Sequence, residues 1–266
     1  MTSQARINVK TRRVKVAIVG GGFGGICMAI KLREAGIDDF VLLEKGSGMG
    51  GTWYHNSYPG AACDVQSHMY SFSFEGNPDW SHRYSGQQEI HNYIQGVTDK
   101  HGLRQYTRFN SEVTGAHFDD KAALWTLDMA DGSQVVCQHW VLASGPLHVP
   151  SFPDFKGMEN FKGKIIHSAQ WDHDYDMAGK KVVSIGTGAS AIQYVPHVAK
   201  EAGQLTLQLA QGREAAAHPL AQAGIGAPIA GNDPRRRALS LSLLTISRHR
   251  PAPLCSFRSV KPSLTN

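Results

Sequence analysis

The sequence predicts an α/β fold with two βαβ units, and two observations support it. A short apolar run at 14–19 enters a glycine turn at 20–25, a helical pattern and a second apolar run at 40–43. The same order recurs over 180–209, with the second glycine turn 166 residues after the first. Short apolar runs are typical of buried parallel strands. We therefore expect two Rossmann-like dinucleotide-binding units, the second of them truncated.

Composition and charge exclude several classes of protein. The 266 residues are 41% hydrophobic and 18% charged, which is enough apolar material for a core and excludes disordered, collagenous and disulfide-stapled chains. Residues 1–210 contain 19 basic and 20 acidic residues, whereas 211–266 contain 8 basic and 2 acidic residues. The body is thus near neutral, which argues against nucleic-acid binding, and residues 211–266 form a divergent basic tail.

Cysteine usage and hydropathy set further expectations. The four cysteines form no CxxC pair, so we expect neither a metal site nor a dithiol centre, and a reducing cytoplasm is the expected location. No stretch approaches the roughly 20 apolar residues that span a bilayer. The apolar stretch 16–30 contains five glycines and no small-residue cleavage site, so it is interpreted as structure and not as a signal peptide.

The first glycine turn has G-x-G-x-x-G spacing at Gly20, Gly22 and Gly25. Glycine permits the tight turn, the close approach to a pyrophosphate and the helix–strand packing, and the helix N-terminus favours phosphate. Glu44 closes the next strand, where a carboxylate can accept ribose hydroxyls. The alternative is a glycine-rich surface turn.

The second turn reads Gly186-x-Gly188-x-x-Ala191. Alanine at the third position still permits packing and is found in NADP-binding versions of the motif. Ser190 is a candidate phosphate ligand. The alternative is an ordinary strand–helix turn.

The region between the turns contains a long irregular segment, 46–90. Irregular segments of this length within a compact domain usually have a function. Its aromatic loop at 50–64 can form one side of a binding site for a flat ring system. The alternative is that Trp53 and Tyr58 are core residues and Asp64 is a turn residue. A helix is expected around Gln87–His101.

Three alternating stretches, 110–118, 124–129 and 134–143, predict strands of a hairpin or meander, with the last turn at Asp131-Gly132. A proline-marked connector, 146–153, follows them.

A third motif spans 161–172 and fits the pattern F-x-G-x-x-x-H-x-x-x-W followed by Pro or Asp. With this motif and the loop at 50–64 (Gly-Gly-x-Trp through Tyr-Pro-Gly to Asp), the sequence resembles Baeyer–Villiger (class B) flavoprotein monooxygenases over about Val14 to Leu209, their N-terminal part only. The family's histidine is implied to link the nucleotide domains and not to act as a base. The motif residues are Phe161, Gly163, His167, Trp171 and Asp172.

The resemblance implies FAD and NADPH as cofactors. It implies an FAD-binding domain at 1–147, the incomplete start of an NADPH-binding domain at 148–210 and the tail at 211–266. Asp64 is implied to be catalytic by orienting an arginine that this chain lacks. The implied FAD contacts are Gly20, Gly22, Phe23, Gly25, Glu44, Gly51, Thr52, Trp53, Asp64, Tyr70, Val113 and Gly145, and the implied NADPH contacts are Gly186, Thr187, Gly188, Ser190, Ala191 and Gln193.

The reaction that the resemblance implies begins with hydride transfer from NADPH to FAD. Reduced flavin and dioxygen give a C4a-peroxyflavin that converts a small ketone to an ester or lactone, or oxygenates a sulfide or amine. From about residue 208 the sequence departs from the family, and we hypothesise a reading-frame artefact or truncation scar there. Weak flavin retention and little turnover are therefore expected.

Two other interpretations remain. One is a different two-dinucleotide flavoenzyme; the missing CxxC argues against a disulfide reductase, and Trp171-Asp172 argues against an N-oxygenating monooxygenase. The other is a non-catalytic nucleotide-binding fragment whose basic tail contacts acidic partners.

Overall fold

The structure is a computed structural model that describes residues 10–153 and 155–208. The chain divides into two compact units. Of the described residues, the first unit contains 10–150 together with Lys162–Asp176, and the second contains 151–153, 155–161 and 177–208. The basic tail at 211–266 lies outside the described residues, and so does the segment of the reading-frame hypothesis apart from Gln208.

The first unit is built on a six-stranded sheet in the order β3-β2-β1-β6-β5-β4. Strand β1 pairs in parallel with β2 and β6, and β2 pairs in parallel with β3, whereas β4, β5 and β6 form an antiparallel meander. The strands are β1 (Thr11–Val19), β2 (Phe40–Leu43), β3 (Thr107–Arg108), β4 (Val113–Asp119), β5 (Leu124–Met129) and β6 (Gln134–Leu142).

In its described residues, this unit also contains three α-helices and a 3-10 turn. They are α1 (Phe23–Glu34), α2 (Thr52–His55), α3 (Gln87–Lys100) and the 3-10 turn Leu103–Tyr106. Helix α1 joins β1 to its parallel neighbour β2, which confirms the first predicted βαβ unit.

The core of the first unit lies on both faces of the sheet, because successive strand residues point to opposite sides. Ile18 and Leu42 face the cluster formed with α1 and α3, where Ile26 and Ile90 are buried. Ala17, Val41 and Leu43 face the second cluster, which also contains Leu127, Val135 and Cys137. Burial of both faces explains why β2 and the last four residues of β1, 16–19, are continuously apolar.

The second unit contains a 3-10 turn (Met158–Asn160), β7 (Lys181–Ile185), α4 (Ala189–Glu201) and β8 (Gln204–Gln208). Strands β7 and β8 pair in parallel on either side of α4 in the chain, which confirms the second predicted βαβ unit. Within residues 10–153 and 155–208, no helix combines the length and apolar character needed to cross a bilayer.

The differences from the sequence prediction are local. The predicted strand at 110–118 begins at Val113, and the short elements α2 and β3 were not predicted. The meander is confirmed, but its last strand also lies in parallel beside β1. Turn patterns specify neighbours along the chain and carry no signal for such a distant pairing.

Candidate functional site

The first glycine turn forms a strand-to-helix corner in which glycine is required by space. Gly20 follows β1 directly, has φ +109° and donates its N–H to the carbonyl of Leu43 at 2.8 Å. A Cβ at Gly20 would lie 2.3 Å from the carbonyl oxygen of Ala143, and one at Gly25 would lie 1.9 Å from that of Gly20. The absence of side chains at Gly20 and Gly25 therefore allows α1 to pack closely against the sheet.

A second pair of glycines closes on this corner from the loop before α2. Gly50 donates its N–H to the carbonyl of Gly21 at 2.9 Å. Gly51 has φ +56°, and a Cβ there would lie 2.9 Å from the Cα of Gly22. Position 51 therefore has no space for a side chain where the two backbones meet.

Helix α3 holds that loop in place. The carbonyl oxygen of Met49 accepts a hydrogen bond from Gln95 Nε2 at 2.6 Å and lies 3.1 Å from His91 Nε2. Neither His91 nor Gln95 is predicted from the sequence, because they lie more than 40 positions from their partner and belong to no local motif.

Helix α1 begins without a capping side chain. Its N-cap is Gly22, and its first turn contains no acidic residue. The first N–H groups of a helix lack partners within the helix, and they lie at the positive end of its dipole. This corner is therefore suited to an anionic group from a ligand.

Glu44 lies at the end of β2 and is only 5% exposed. Its Oε2 accepts the Gly21 N–H and its Oε1 accepts the Gly46 N–H, both at 2.6 Å, while His55 Nε2 lies 3.9 Å from Oε1. Burial favours the neutral acid, but His55 and the two N–H groups outweigh burial and hold the pKa of Glu44 below its usual value. The ionised carboxylate keeps lone pairs that can accept hydrogen bonds from hydroxyl groups.

These parts enclose a pocket of about 430 Å³ within the first unit. Gly25 lies beneath the turn and is buried, so it contributes packing and does not line the pocket. Asp64 is exposed and does not line it either. The expected FAD contacts that do line it are Gly20, Gly22, Phe23, Glu44, Gly51, Thr52, Trp53, Tyr70, Val113 and Gly145.

One wall of the pocket is aromatic. Trp53 Nε1 donates a hydrogen bond to the Tyr70 hydroxyl at 3.1 Å, and the Phe23 ring meets the Tyr70 ring edge-on at 5.2 Å between centroids. Burial raises the pKa of Tyr70 and exceeds the opposing effect of the Trp53 hydrogen bond, so the phenol stays neutral. Flat rings locked in this way can contact a flat ring of a ligand.

Two histidines that no sequence motif predicts also line the pocket. The rings of His55 and His148 lie 5.6 Å apart between centroids at an interplanar angle of 32°. Burial lowers the pKa of His148, and His55 lowers it further. The connector that carries His148 is held by Asn56, whose Nδ2 donates to the carbonyl of Leu147 at 2.9 Å.

The second glycine turn repeats the first corner inside the second unit. Gly186 follows β7 directly, has φ +97° and donates its N–H to the carbonyl of Gln208 at 2.8 Å. Helix α4 has Gly188 as its N-cap, with no capping side chain and no acidic residue in its first turn. The other residues expected here lie beside it: Ala191 is buried, and Thr187, Ser190 and Gln193 are half-buried.

The motif at 161–172 spans a division between the units. Phe161 ends a segment of the second unit and is 61% exposed, whereas Gly163, His167, Trp171 and Asp172 belong to the first. Nδ1 of His167 accepts the Ala169 N–H at 3.0 Å, and Lys164 Nζ lies 2.7 Å from the Asp172 carboxylate. These bonds order the segment itself, which supports a conformational role for His167.

None of the three cysteines that the structure describes lines the pocket. Cys27, Cys63 and Cys137 are free thiols, and burial raises the pKa of the last two. In the part of the chain that the structure describes, no group of three or more His, Cys, Asp or Glu side chains is placed to hold a metal ion.

Comparison with known proteins gives consistent matches. The model of a family described as pyridine nucleotide-disulphide oxidoreductases matches residues 17–220. A Baeyer-Villiger monooxygenase of Streptomyces coelicolor is 50% identical over 194 residues, an alignment that covers 73% of this chain and 37% of that protein. An FAD-binding monooxygenase of Aspergillus niger is 47% identical over 206 residues, covering 73% of this chain and 34% of that protein.

A solved structure extends the comparison to the fold. Cyclohexanone monooxygenase from Rhodococcus sp. Phi1 bound to NADP+ superposes with a TM-score of 0.69 at 37% identity, covering 74% of this chain and 38% of that one. The chain therefore spans between a third and two fifths of the length of the relatives named here.

Proposed function

This chain belongs to the pyridine nucleotide-disulphide oxidoreductase family, and from that premise we propose that its first unit binds FAD in an NADPH-dependent monooxygenase of Baeyer–Villiger type. The observation that carries the proposal is the pocket at the first glycine corner, where an ionised, buried Glu44 lies beside an uncapped helix N-terminus. The names of the relatives, which include FAD-binding and Baeyer-Villiger monooxygenases, support the same conclusion.

The pocket residues fit FAD part by part. Gly20 and Gly51 lie too close to neighbouring backbone for side chains, Gly22 is the N-cap of α1, and together they suit a pyrophosphate at the start of this helix. Glu44 suits the hydroxyls of the adenosine ribose. Trp53 and Tyr70 suit the isoalloxazine ring. Bound FAD supplies the capacity to accept a hydride from a nicotinamide and to react with dioxygen.

The second unit is proposed to bind NADPH at its own glycine corner. Helix α4 begins there without a cap or an acidic residue, so its N-terminus suits phosphate, and Thr187 and Ser190 lie beside it. The proposed domains remain 1–147 for FAD and 148–210 for the start of the NADPH domain. The missing CxxC leaves no dithiol centre in the sequence, so the disulphide reaction in the family's name is not proposed.

The substrate is proposed to be a small organic ketone, with sulfides and amines as further candidates and dioxygen as co-substrate. Because the chain spans only part of its relatives, this statement concerns the activity of the family, to which this chain would contribute the FAD-binding unit. Asp64 is proposed to orient an arginine; its exposed side chain is accessible for such a contact.

The test is an equilibrium titration of the purified chain with FAD, followed by flavin fluorescence and by the thermal midpoint. We expect saturable binding, with stability raised by about 2.7 kcal/mol at a hundredfold excess over Kd. Glu44→Ala should weaken binding, whereas Glu34→Ala, an exposed carboxylate paired with Lys31 at the far end of α1, should not. Equal affinity in the wild type and Glu44→Ala would contradict the proposed site.

A further inference from the structure

A chain of hydrogen bonds runs from the exposed 3-10 turn after α3 to the loop before α2. Arg104 Nη2 donates to Gln95 Oε1 at 2.5 Å, and the same guanidinium pairs with the Asp99 carboxylate at the surface. Gln95 Nε2 in turn donates to the carbonyl oxygen of Met49 at 2.6 Å. An exposed charge pair is thus connected to the backbone next to Gly50, which lines the pocket.

Arg104 determines which end of the Gln95 amide faces Met49. A glutamine amide has an oxygen that accepts hydrogen bonds and an NH₂ group that donates them, whereas a guanidinium only donates. Because Oε1 accepts from Arg104, the NH₂ group is left for the Met49 carbonyl. A rotated amide would place donors together at Arg104 and acceptors together at Met49, so the guanidinium stabilises the observed orientation.

The Met49 carbonyl belongs to a peptide group that the first glycine turn holds from the other side. The N–H of this group, on Gly50, donates to the Gly21 carbonyl at 2.9 Å. In a planar trans peptide the C=O and the N–H point in opposite directions, so Gln95 and the glycine turn bind the same rigid unit. Rotation of that unit would break its bond to Gly21.

The backbone that follows this peptide has little stiffness of its own. Gly50 and Gly51 have φ values of +134° and +56°, and glycine has the widest choice of backbone conformations. The ring of His91 occupies the space beside Gly50, where a Cβ would lie 2.8 Å from Cδ2. His91 Nε2 lies 3.1 Å from the Met49 oxygen, so the 2.6 Å contact of Gln95 is the shorter of the two.

We infer that Gln95, oriented by Arg104, is a positioning residue of the FAD site. Gln95 does not line the pocket, but its bond to the loop keeps Gly51 against Gly22, where the pyrophosphate is proposed to bind. The inference rests on the proposed function, since it concerns the same part of the pocket. Without this bond, FAD must order the loop as it binds, which lowers the affinity although no contact to the ligand is removed.

The experiment compares the FAD affinity of the full chain and its variants by flavin fluorescence. Gln95→Met keeps the length of the side chain without a donor and should weaken FAD binding about three- to tenfold, equivalent to one lost hydrogen bond. The matched control is Gln88→Met, since the exposed Gln88 donates to Asn92 Oδ1 at 2.9 Å within the same helix. The control should bind FAD within about twofold of the wild type.

A double-mutant cycle tests whether Arg104 acts through Gln95. Arg104→Met, at an exposed position, should weaken FAD binding in the wild-type background, but by less than Gln95→Met. In the Gln95→Met background it should have no further effect, because no amide is left to orient. An unchanged affinity in Arg104→Met, or losses that add in the double variant, would overturn the inference.

Residue-resolved amide exchange of the ligand-free chain separates positioning from overall stability. In Gln95→Met the Gly50 N–H, which donates to Gly21, should exchange faster, while the N–H of Ile18 in β1 should exchange as in the wild type. Faster exchange at both positions would overturn the inference, because the substitution would then have destabilised the whole unit. Unchanged exchange at Gly50 would overturn it as well.

The FAD titration separates the inference from the proposed function. Wild-type chain that does not bind FAD would overturn the proposed function and the inference with it. Wild-type chain that binds FAD, with equal affinity in Gln95→Met, would overturn the inference alone.

Discussion

Gly25 and Gly24 are adjacent glycines in α1 with opposite surroundings. A Cβ at position 25 would lie 1.9 Å from the carbonyl oxygen of Gly20, whereas one at position 24 would meet the Cβ of Ala143 at an ordinary 3.5 Å. We expect Gly25→Ala to lower the free energy of unfolding by about 1–3 kcal/mol or more through overpacking. Gly24→Ala should be neutral or gain up to about 1 kcal/mol from helix propensity. Urea denaturation of the ligand-free chain measures both, and equal effects would contradict the tight corner.

Glu44 also contributes to stability, because its carboxylate satisfies two backbone donors. In Glu44→Gln the amide NH₂ cannot accept a hydrogen bond, so one buried N–H loses its partner, and we expect a loss of about 1–3 kcal/mol at pH 7. Glu112→Gln, which breaks a surface pair with Lys45, should cost at most about 1 kcal/mol.

The pH dependence of the Glu44 effect has a definite sign. The folded-state pKa of Glu44 lies below its usual value of 4.5, so its ionisation stabilises the fold above that value. This contribution is lost as the pH falls from about 4.5 through the lowered pKa. The stability difference between wild type and Glu44→Gln, measured by urea denaturation across this range, should therefore shrink in acid. A difference that grows toward low pH would show that the carboxylate is not the stabilised form.

At the scale of the element, the N-terminus of α1 is left open for a ligand anion. Its first turn has no acidic residue, and position 24 has room for a side chain. We expect Gly24→Asp to stabilise the ligand-free chain relative to Gly24→Asn by about 0.3–1 kcal/mol, because the carboxylate compensates the helix dipole. Gly24→Asp should also lower the affinity for FAD, because its carboxylate repels the pyrophosphate.

Gly24→Asn is the matched control for that prediction, since it has the same shape without the charge. Thermal melts without ligand and titrations with FAD compare the two variants. If both variants lost the same FAD affinity, the loss would be caused by the size of the side chain and not by its charge. That result would contradict the proposal that the N-terminus of α1 binds the anionic group of FAD.

The sequence predicts elements whose signal is local. The first βαβ unit was predicted because its features follow one another along the chain. The apolar run of β1, the glycine turn and the helical pattern of α1 can each be identified from neighbouring residues. Helix α2 was missed because four residues cannot express a helical period. The hydrogen bonds of His91 and Gln95 to Met49 were missed because they join residues more than 40 positions apart. His148 was missed for the same reason, because it lines the pocket through tertiary packing and belongs to no local motif.

At the scale of the whole molecule, the two glycine corners belong to different compact units. Each corner is made by the strand, helix and backbone contacts of its own unit, so we expect each ligand to protect the amides of its own corner. We expect FAD to slow amide exchange over residues 20–25 and 50–53, and NADP+ to slow it over residues 186–193. Ligand binding protects the amides whose opening it opposes.

Gly186→Val separates the two sites in the same exchange experiment. It places a β-branched residue at φ +97°, a conformation that such residues rarely adopt. Protection of residues 186–193 by NADP+ should disappear in this variant, while FAD should protect residues 20–25 as in the wild type. If Gly186→Val abolished the FAD effect as well, or if FAD protected both turns of the wild type equally, the first corner would not be a self-sufficient FAD site. Retained FAD protection would show that FAD binding at the first corner does not require an intact second corner.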